Sequence, residues 1–294
     1  MKRVATEKIG KLAVVRNVQD LRRRVAQWRH AGETVALVPT MGALHAGHLA
    51  LVDRGRALCD RAVASIFVNP KQFAPSEDFT RYPRDEAGDA AKLWGARCDL
   101  LYAPDVAEIY PEGFATSVAV GALGEVLCGR FRPGHFTGVA TVVAKLLLQA
   151  QADLACFGEK DYQQLQVIRR MVRDLDIPVR IEAVPTLREA DGLALSSRNA
   201  YLSPQERLVA PALYRVLAEL AQRLGSGEAS VFALLEEGRA ALSRAGFTKI
   251  DYVELVDAET LSPLERRDRP GRLVAAAWLG KTRLIDNLAI AATP

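Results

Sequence analysis

The chain is poor in several residue types, and each shortage narrows what it can be. Aromatic residues are only 6% of its 294 residues, and histidines and cysteines number four each. No apolar stretch approaches the ~18 residues that a membrane-spanning helix needs. The first fifteen residues, MKRVATEKIGKLAVV, lack the apolar core of a secretory signal. The cysteines, at 59, 98, 128 and 156, form no CxxC pair, so a zinc or redox motif is not expected. These features lead us to expect reduced thiols and a cytoplasmic protein. Basic residues are scattered. The longest run, Arg22-Arg23-Arg24, falls in an expected helix without interleaved aromatics, unlike a nucleic-acid-binding stripe. The net charge of +4 is small and leaves open the binding of small anions.

What is present is ordinary globular material. The charged fraction of 25% and hydrophobic fraction of 49% exclude a disordered or collagen-like chain. The length fits one large domain or two smaller ones. Helices are expected over 17–31, 47–60, 85–97, 137–151 and 161–176, with Asn17 capping the first. Between them lie apolar strands at 34–39, 61–68, 98–104, 153–158 and 177–186. Strands that are apolar on both faces and alternate with helices predict a Rossmann-like parallel sheet covered on both sides. After residue 186 the alternation stops. Two helix starts follow within 196–224, then a helix at 228–246 and strands at 249–257, 271–280 and 282–290, the last two a hairpin around Gly280-Lys281. The expected organisation is a Rossmann-like domain over 1–186 and a smaller α+β lid domain over 187–294.

Four segments carry chemistry, each near the carboxyl end of an expected strand, where such sheets bind ligands. The first runs from Met41 through Gly42, Ala43 and Leu44 to His45-Ala46-Gly47-His48. A helix N-terminus suits phosphate, and two imidazoles three residues apart can stabilise charge growing on it. The second, FVNPKQF, offers the amides of Asn69 and Gln72 to a substrate bearing hydroxyls and a carboxylate. In the third, FGEKDYQQL, Lys160 is one of nine lysines against 30 arginines and can hold a triphosphate. Asp161 can cap the next helix or meet a ribose, and Gln164 can reach the pocket of Gln72. The fourth, ADGLALSSRN, supplies Ser196, Ser197 and Arg198 as phosphate donors. A fifth segment, CGRFRPGHF, with Arg130, Arg132 and His135, reads either as a mobile basic flap or as a surface turn.

In order along the chain, PTMGALHAGH, FVNPKQF, CGRFRPGHFTGVA, FGEKDYQQL and DGLALSSRNAYL resemble the pantoate–β-alanine ligases, members of the HxGH nucleotidyltransferase superfamily. The resemblance implies ATP-dependent condensation of (R)-pantoate with β-alanine through pantoyl adenylate, releasing pyrophosphate and then AMP. It also implies Mg2+ accompanying ATP, a cytoplasmic homodimer, and no partner beyond the small-molecule substrates. Carried over residue by residue, it implies that Met41 through His48, Gly158, Glu159, Lys160, Asp161, Leu187 and Leu195 through Arg198 bind ATP. His48, His45 and Lys160 are the implied catalytic groups. Gln72 and Gln164 are implied to bind pantoate, and Gln72 also β-alanine. No protein metal site is implied. Ala46, where the family often has an acid, and Lys71, where a small or neutral residue is common, are departures expected to tune affinity only.

Two other readings remain at this point. Another HxGH adenylyltransferase, acting on a phosphorylated acceptor, would share the first segment without VNPKQF. A non-catalytic nucleotide- or RNA-binding module would need a binding stripe that the sequence does not display.

Overall fold

A computed structural model describes residues 7–74, 79–226 and 230–292. The first region contains β1 (Glu7–Ile9), β2 (Leu12–Val15), α1 (Val18–His30), β3 (Val35–Thr40), α2 (Ala46–Leu58) and β4 (Arg61–Ile66). It continues with α3 (Glu86–Gly95), β5 (Leu100–Tyr102), α4 (Val106–Ile109), α5 (Cys128–Phe131), α6 (His135–Ala150), β6 (Leu154–Gly158), α7 (Tyr162–Asp174) and β7 (Arg180–Val184). These strands form one sheet in the order β1-β2-β5-β4-β3-β6-β7, parallel except for the antiparallel β1–β2 pair.

The five expected parallel strands are all present. The sequence reading missed β1 and β2, which extend the sheet at its edge. Their shortness explains the omission, since three and four residues give no periodic signal. The strand expected over 177–186 is confined to Arg180–Val184. Asn17 does cap α1, its side chain accepting from the Asp20 amide. Asp161 stands at the N-cap position of α7, but its side chain makes no capping bond.

The central strands are apolar on both faces because both are covered. One face packs Leu37, Val63 and Leu100 with Val139, Leu146 and Ile168 of α6 and α7. The other packs Ala36, Val38 and Ala64 with Val52 of α2 and Leu93 of α3. Gly55 of α2 is needed for that approach, since a Cβ there would stand 3.0 Å from the Ala36 methyl.

The remainder comprises α8 (Pro204–Val209), α9 (Ala212–Ser226), α10 (Val231–Ala245), β8 (Lys249–Asp257), β9 (Gly271–Leu279) and β10 (Thr282–Ile290). Ser203 and Glu206 form a reciprocal capping box with Pro204 at the first position of α8, an arrangement that starts a helix cleanly. Helix α10 begins after its cap Ser230, and residues 228 and 229 of the helix expected over 228–246 lie outside the described residues. The three strands form an antiparallel sheet, with the expected β9–β10 hairpin turning at Gly280 in a left-handed conformation.

Alternation along β8 and β9 joins the two regions. Val253, Leu255, Leu273 and Ala275 pack against α9 and α10, whereas Tyr252, Val256, Val274 and Ala276 join the hydrophobic core that also contains α6 and α7. The small sheet is thus covered on both sides, and the second region is seated on the first through shared apolar packing.

Candidate active site

Segments far apart in the chain meet at the carboxyl ends of β3, β4 and β6. Beyond β3 the chain turns sharply. Gly42 and Ala43 both have positive φ, 81° and 51°, and strain at the non-glycine Ala43 needs compensation. Asp89 of α3 supplies it. Its buried carboxylate accepts from the amides of Ala43 at 2.7 Å and Leu44 at 2.8 Å. Lys92 ties the same place, donating to the Leu44 carbonyl at 2.9 Å. Thr40 accepts from the Gly42 amide through Oγ1 and donates to the Ser65 carbonyl.

The histidine pair is built into the start of α2. His45 caps the helix, its Nδ1 accepting from the Gly47 amide at 3.2 Å, and His48 Nδ1 accepts from the His45 amide at 3.3 Å. Each backbone N–H can only donate, so each neutral ring carries its proton on Nε2. Burial pushes the His45 imidazole down to about 4, helped by the Lys160 charge. Burial likewise pushes His48 down to about 3, with His45 and Lys160 adding to it. Both rings are neutral at physiological pH. They lie with centroids 4.1 Å apart. Gly47 leaves room for the His45 ring to fold back, since a Cβ there would meet His45 Cε1 at 2.9 Å.

This geometry changes one expectation. The amides of Gly42, Ala43, Leu44, His45 and Gly47 are occupied by Thr40, Asp89 and the two imidazoles. What the two histidines have left to present are their Nε2–H groups. Ala46 is exposed, so the missing acid there leaves the framework untouched.

After β4, Asn69 organises the next turn. It is buried, and its Nδ2 donates to Gln72 Oε1 at 3.0 Å and to the Gly138 carbonyl at 3.1 Å. Its Oδ1 accepts from the Tyr110 hydroxyl at 2.8 Å. Gln72 Nε2 reaches Met41 Sδ at 2.9 Å, which links this turn to the first segment. Lys71 turns away, with its ammonium over the rings of Tyr110 and Phe114 at 5.0 and 4.8 Å.

The CGRFRPGHF segment is no detached flap. Cys128 and Gly129 are buried. His135 Nδ1 donates to the Gln72 carbonyl at 2.8 Å while Arg132 lies 3.0 Å from Nε2 of the same ring. Arg132 can only donate there, which fixes the proton on Nδ1. The segment buttresses the Asn69–Gln72 turn.

Beyond β6, Glu159, Lys160 and Asp161 form one 3-10 turn. Lys160 Nζ lies 3.9 Å from Asp161 Oδ1. The Glu159 carboxylate is engaged by Arg272 at 3.0 Å. Residues 187–198 fold back as a small hairpin in which the Leu195 amide donates to the Leu187 carbonyl at 3.0 Å. Ser197 Oγ donates to the Ala43 carbonyl at 3.1 Å, which brings this loop onto the first segment. Ser196 caps the turn over Ser197–Tyr201, accepting from the Arg198 amide. A cavity of about 420 Å3 between the two regions is lined by Lys160, Asp161, Gln164, Ser196 and Arg198, among others, a volume suited to a small ligand. His45, His48 and Gln72 lie outside its wall, although the Lys160 charge biases both rings.

Sequence reasoning missed the residues that hold these loops: Asp89 on the Ala43 and Leu44 amides, Arg272 on Glu159, Asn287 on the Glu159 and Lys160 carbonyls, and Asp286 on Arg188. A signal existed for Asp89, because it shares the buried face of α3 with Ala90 and Leu93. An acid on an apolar helix face has to find donors. No comparable pattern marks Asn287 or Arg272.

Fold and site define a class: an α/β protein whose HxGH imidazole pair, lysine turn and serine–arginine loop gather at the carboxyl edge of a parallel sheet. The comparisons with known proteins agree. Residues 13–289 match the family Pantoate-beta-alanine ligase, and the chain belongs to that family. It is 62% identical over 277 residues to a pantothenate synthetase of Paramagnetospirillum magneticum, covering 94% of this chain and 97% of that one. A pantothenate synthetase of Rhizorhabdus wittichii is 60% identical, over 96% of this chain and all of that one (100%). The crystal structure of the pantothenate synthetase of Thermus thermophilus superposes with a TM-score of 0.89 at 52% identity, covering 94% of this chain and 98% of that one. That of the pantoate-beta-alanine ligase of Francisella tularensis, complexed with beta-gamma ATP and beta-alanine, gives 0.78 at 32% identity over 94% and 97%.

Proposed function

We propose that this chain condenses (R)-pantoate with β-alanine at the expense of ATP, releasing AMP and pyrophosphate by way of pantoyl adenylate. The observation that carries the reading is the convergence of His45, His48, Lys160 and the Ser196–Arg198 loop in a chain of the pantoate–β-alanine ligase family. In the first step a pantoate carboxylate oxygen attacks the α-phosphorus and the bond to pyrophosphate breaks. In the second the neutral amine of β-alanine attacks the acyl carbon, AMP leaves with the electron pair of the C–O bond, and the nitrogen sheds a proton.

The residues divide this work by their chemistry. Lys160 and Arg198 meet the phosphate charge. The two Nε2–H groups donate to phosphoryl oxygens as charge builds there, acting as fixed neutral donors. Gln72, with its amide held by Asn69 and Met41, and Gln164 on the cavity wall receive the hydroxyls and carboxylate of pantoate, and Gln72 also takes β-alanine. Leu187 and Leu195, joined by their backbone bond, offer apolar surface to adenine, and Gly158 lets the nucleotide approach the end of β6. Ser197, Ala43, Leu44 and Glu159 serve ATP by shaping its pocket, because their polar groups are engaged elsewhere.

Mg2+ enters this reading with ATP. Among the described residues no cluster of three or more His, Cys, Asp and Glu forms a protein cage. Asp161, beside Lys160, is the carboxylate that would help hold the ion, with phosphate oxygens and water as its other ligands. The reading extends to a division near residues 186 and 187, a cytoplasmic homodimer, and substrates as the sole partners. Among the described residues no helix is long and apolar enough to cross a membrane.

The test omits each substrate in turn. AMP release is expected only with ATP, pantoate and β-alanine together, with pantothenate formed in equal amount. Adenylation of a phosphorylated acceptor without an amide product would overturn the assignment.

A further inference from the structure

The smaller sheet sends one strand into the nucleotide-binding edge of the larger one. Adjacent residues of β10, Asp286 and Asn287, are both buried, 3% and 4% exposed, and both are spent on loops of the candidate active site. Asn287 Nδ2 donates to two successive carbonyls, those of Glu159 at 3.0 Å and Lys160 at 2.9 Å. These belong to the short turn between β6 and α7. An amide nitrogen has two hydrogens, and both are used here. The orientation of the amide is settled chemically, because Arg272 Nε donates to Asn287 Oδ1 at 2.6 Å and can only donate. Arg272 is itself held by Glu159 Oε2 at 3.0 Å and by stacking over Tyr162 at 4.1 Å. Asp286 holds the other loop. Its carboxylate accepts both arms of Arg188, at 2.6 and 2.9 Å, and Arg188 lies in the first arm of the hairpin that carries Ser196 and Arg198.

We propose that Asn287 is a positioning residue for the adenylation step, fixing the backbone of Lys160 so that its ammonium meets the triphosphate. This rests on the reading of Lys160 as an ATP-binding group. Asn287 does not touch the nucleotide; it acts through the turn it clamps. Without the clamp the two carbonyls lose their buried donor, and the turn that aims Lys160 is free to shift. A displacement of about 1 Å in a positioned group is enough to cost on the order of 10²-fold in rate.

A double-mutant cycle tests this, because residues that act through one another are not additive. Adenylation is followed as pantoate-dependent exchange of pyrophosphate into ATP, for the wild type, Asn287→Ala, Lys160→Ala and the double variant, with melting temperatures measured alongside. Asn287→Ala is expected to lower kcat/KM for ATP roughly tenfold, mainly through KM. In the Lys160→Ala background the same change is expected to cost less than about twofold. If Asn287→Ala does not fold, Asn287→Ser, which keeps a hydroxyl donor, enters the same cycle. Equal losses in both backgrounds would overturn the proposal, as would an undiminished Asn287→Ala enzyme. A wild-type protein without exchange would instead sink the ligase reading. In that case equilibrium binding of ATP to the same four proteins would carry the cycle, and independent effects there would again defeat the positioning role.

Discussion

Replacing His48 with alanine is expected to lower the rate of adenylate formation by roughly 10²–10³, the scale of losing one transition-state donor. ATP binding should weaken far less, because the donation matters most when charge accumulates on the phosphoryl oxygens. The structure sharpens this further. The His48 ring sits at about 3 because it is buried beside His45 and Lys160. With that value the ring is neutral at neutral pH. The proposed role is that of a neutral Nε2–H donor, which a neutral amide can partly imitate. His48→Gln or His48→Asn should recover about tenfold over His48→Ala. If His48 instead delivered a proton as imidazolium, the amide variants would be as poor as alanine. The wild-type adenylation rate would also climb as pH fell from 8 towards 6. No such climb is expected, since both rings titrate far below that window.

Gly138→Ala should damage both stability and the handling of pantoate. Gly138 lies in the first turn of α6, where a Cβ would stand 2.2 Å from the Lys71 carbonyl oxygen and 2.8 Å from the Gln72 nitrogen. These are backbone atoms and cannot swing aside. The carbonyl of Gly138 also receives one hydrogen of Asn69. Adding the methyl therefore pushes the Asn69–Gln72 turn off its seat. We expect a loss of about 2–3 kcal/mol in stability, the upper range for overpacking, seen as a drop of several degrees in Tm. In enzyme that remains folded, KM for pantoate should rise at least about tenfold while KM for ATP moves little, since Lys160 and Arg198 stand on other loops. A variant with wild-type Tm and wild-type pantoate dependence would show that the turn is not held by this contact.

The difference between what the sequence revealed and what it concealed follows from range. Periodicity and capping are local. They placed the parallel strands, the Asn17 cap and the Gly280 hairpin, and they put two helix starts within 196–224 without marking Ser203 as a cap. The motif residues were legible for a related reason: they stand at strand ends, where loops carry function. Concealed were the contacts between distant residues. Nothing near Ala43 announces that its amide belongs to Asp89, 46 positions away. Nothing near Lys160 announces Asn287, 127 positions away. The HxGH motif itself was only half legible. Its spacing suggested an open helix N-terminus, whereas the imidazoles themselves take the His45 and Gly47 amides and have Nε2–H donors left to present. The β1–β2 edge was concealed for another reason, since strands of three and four residues have too little pattern to detect.

The most direct measurement is a structure of the protein with a non-hydrolysable ATP analogue and pantoate bound together. It should place the α-phosphate within ~3 Å of an imidazole Nε2, the outer phosphates against Lys160 and Arg198, and the pantoate carboxylate between the α-phosphorus and Gln72. Phosphates bound elsewhere on the molecule, with both imidazoles left facing only protein, would contradict it.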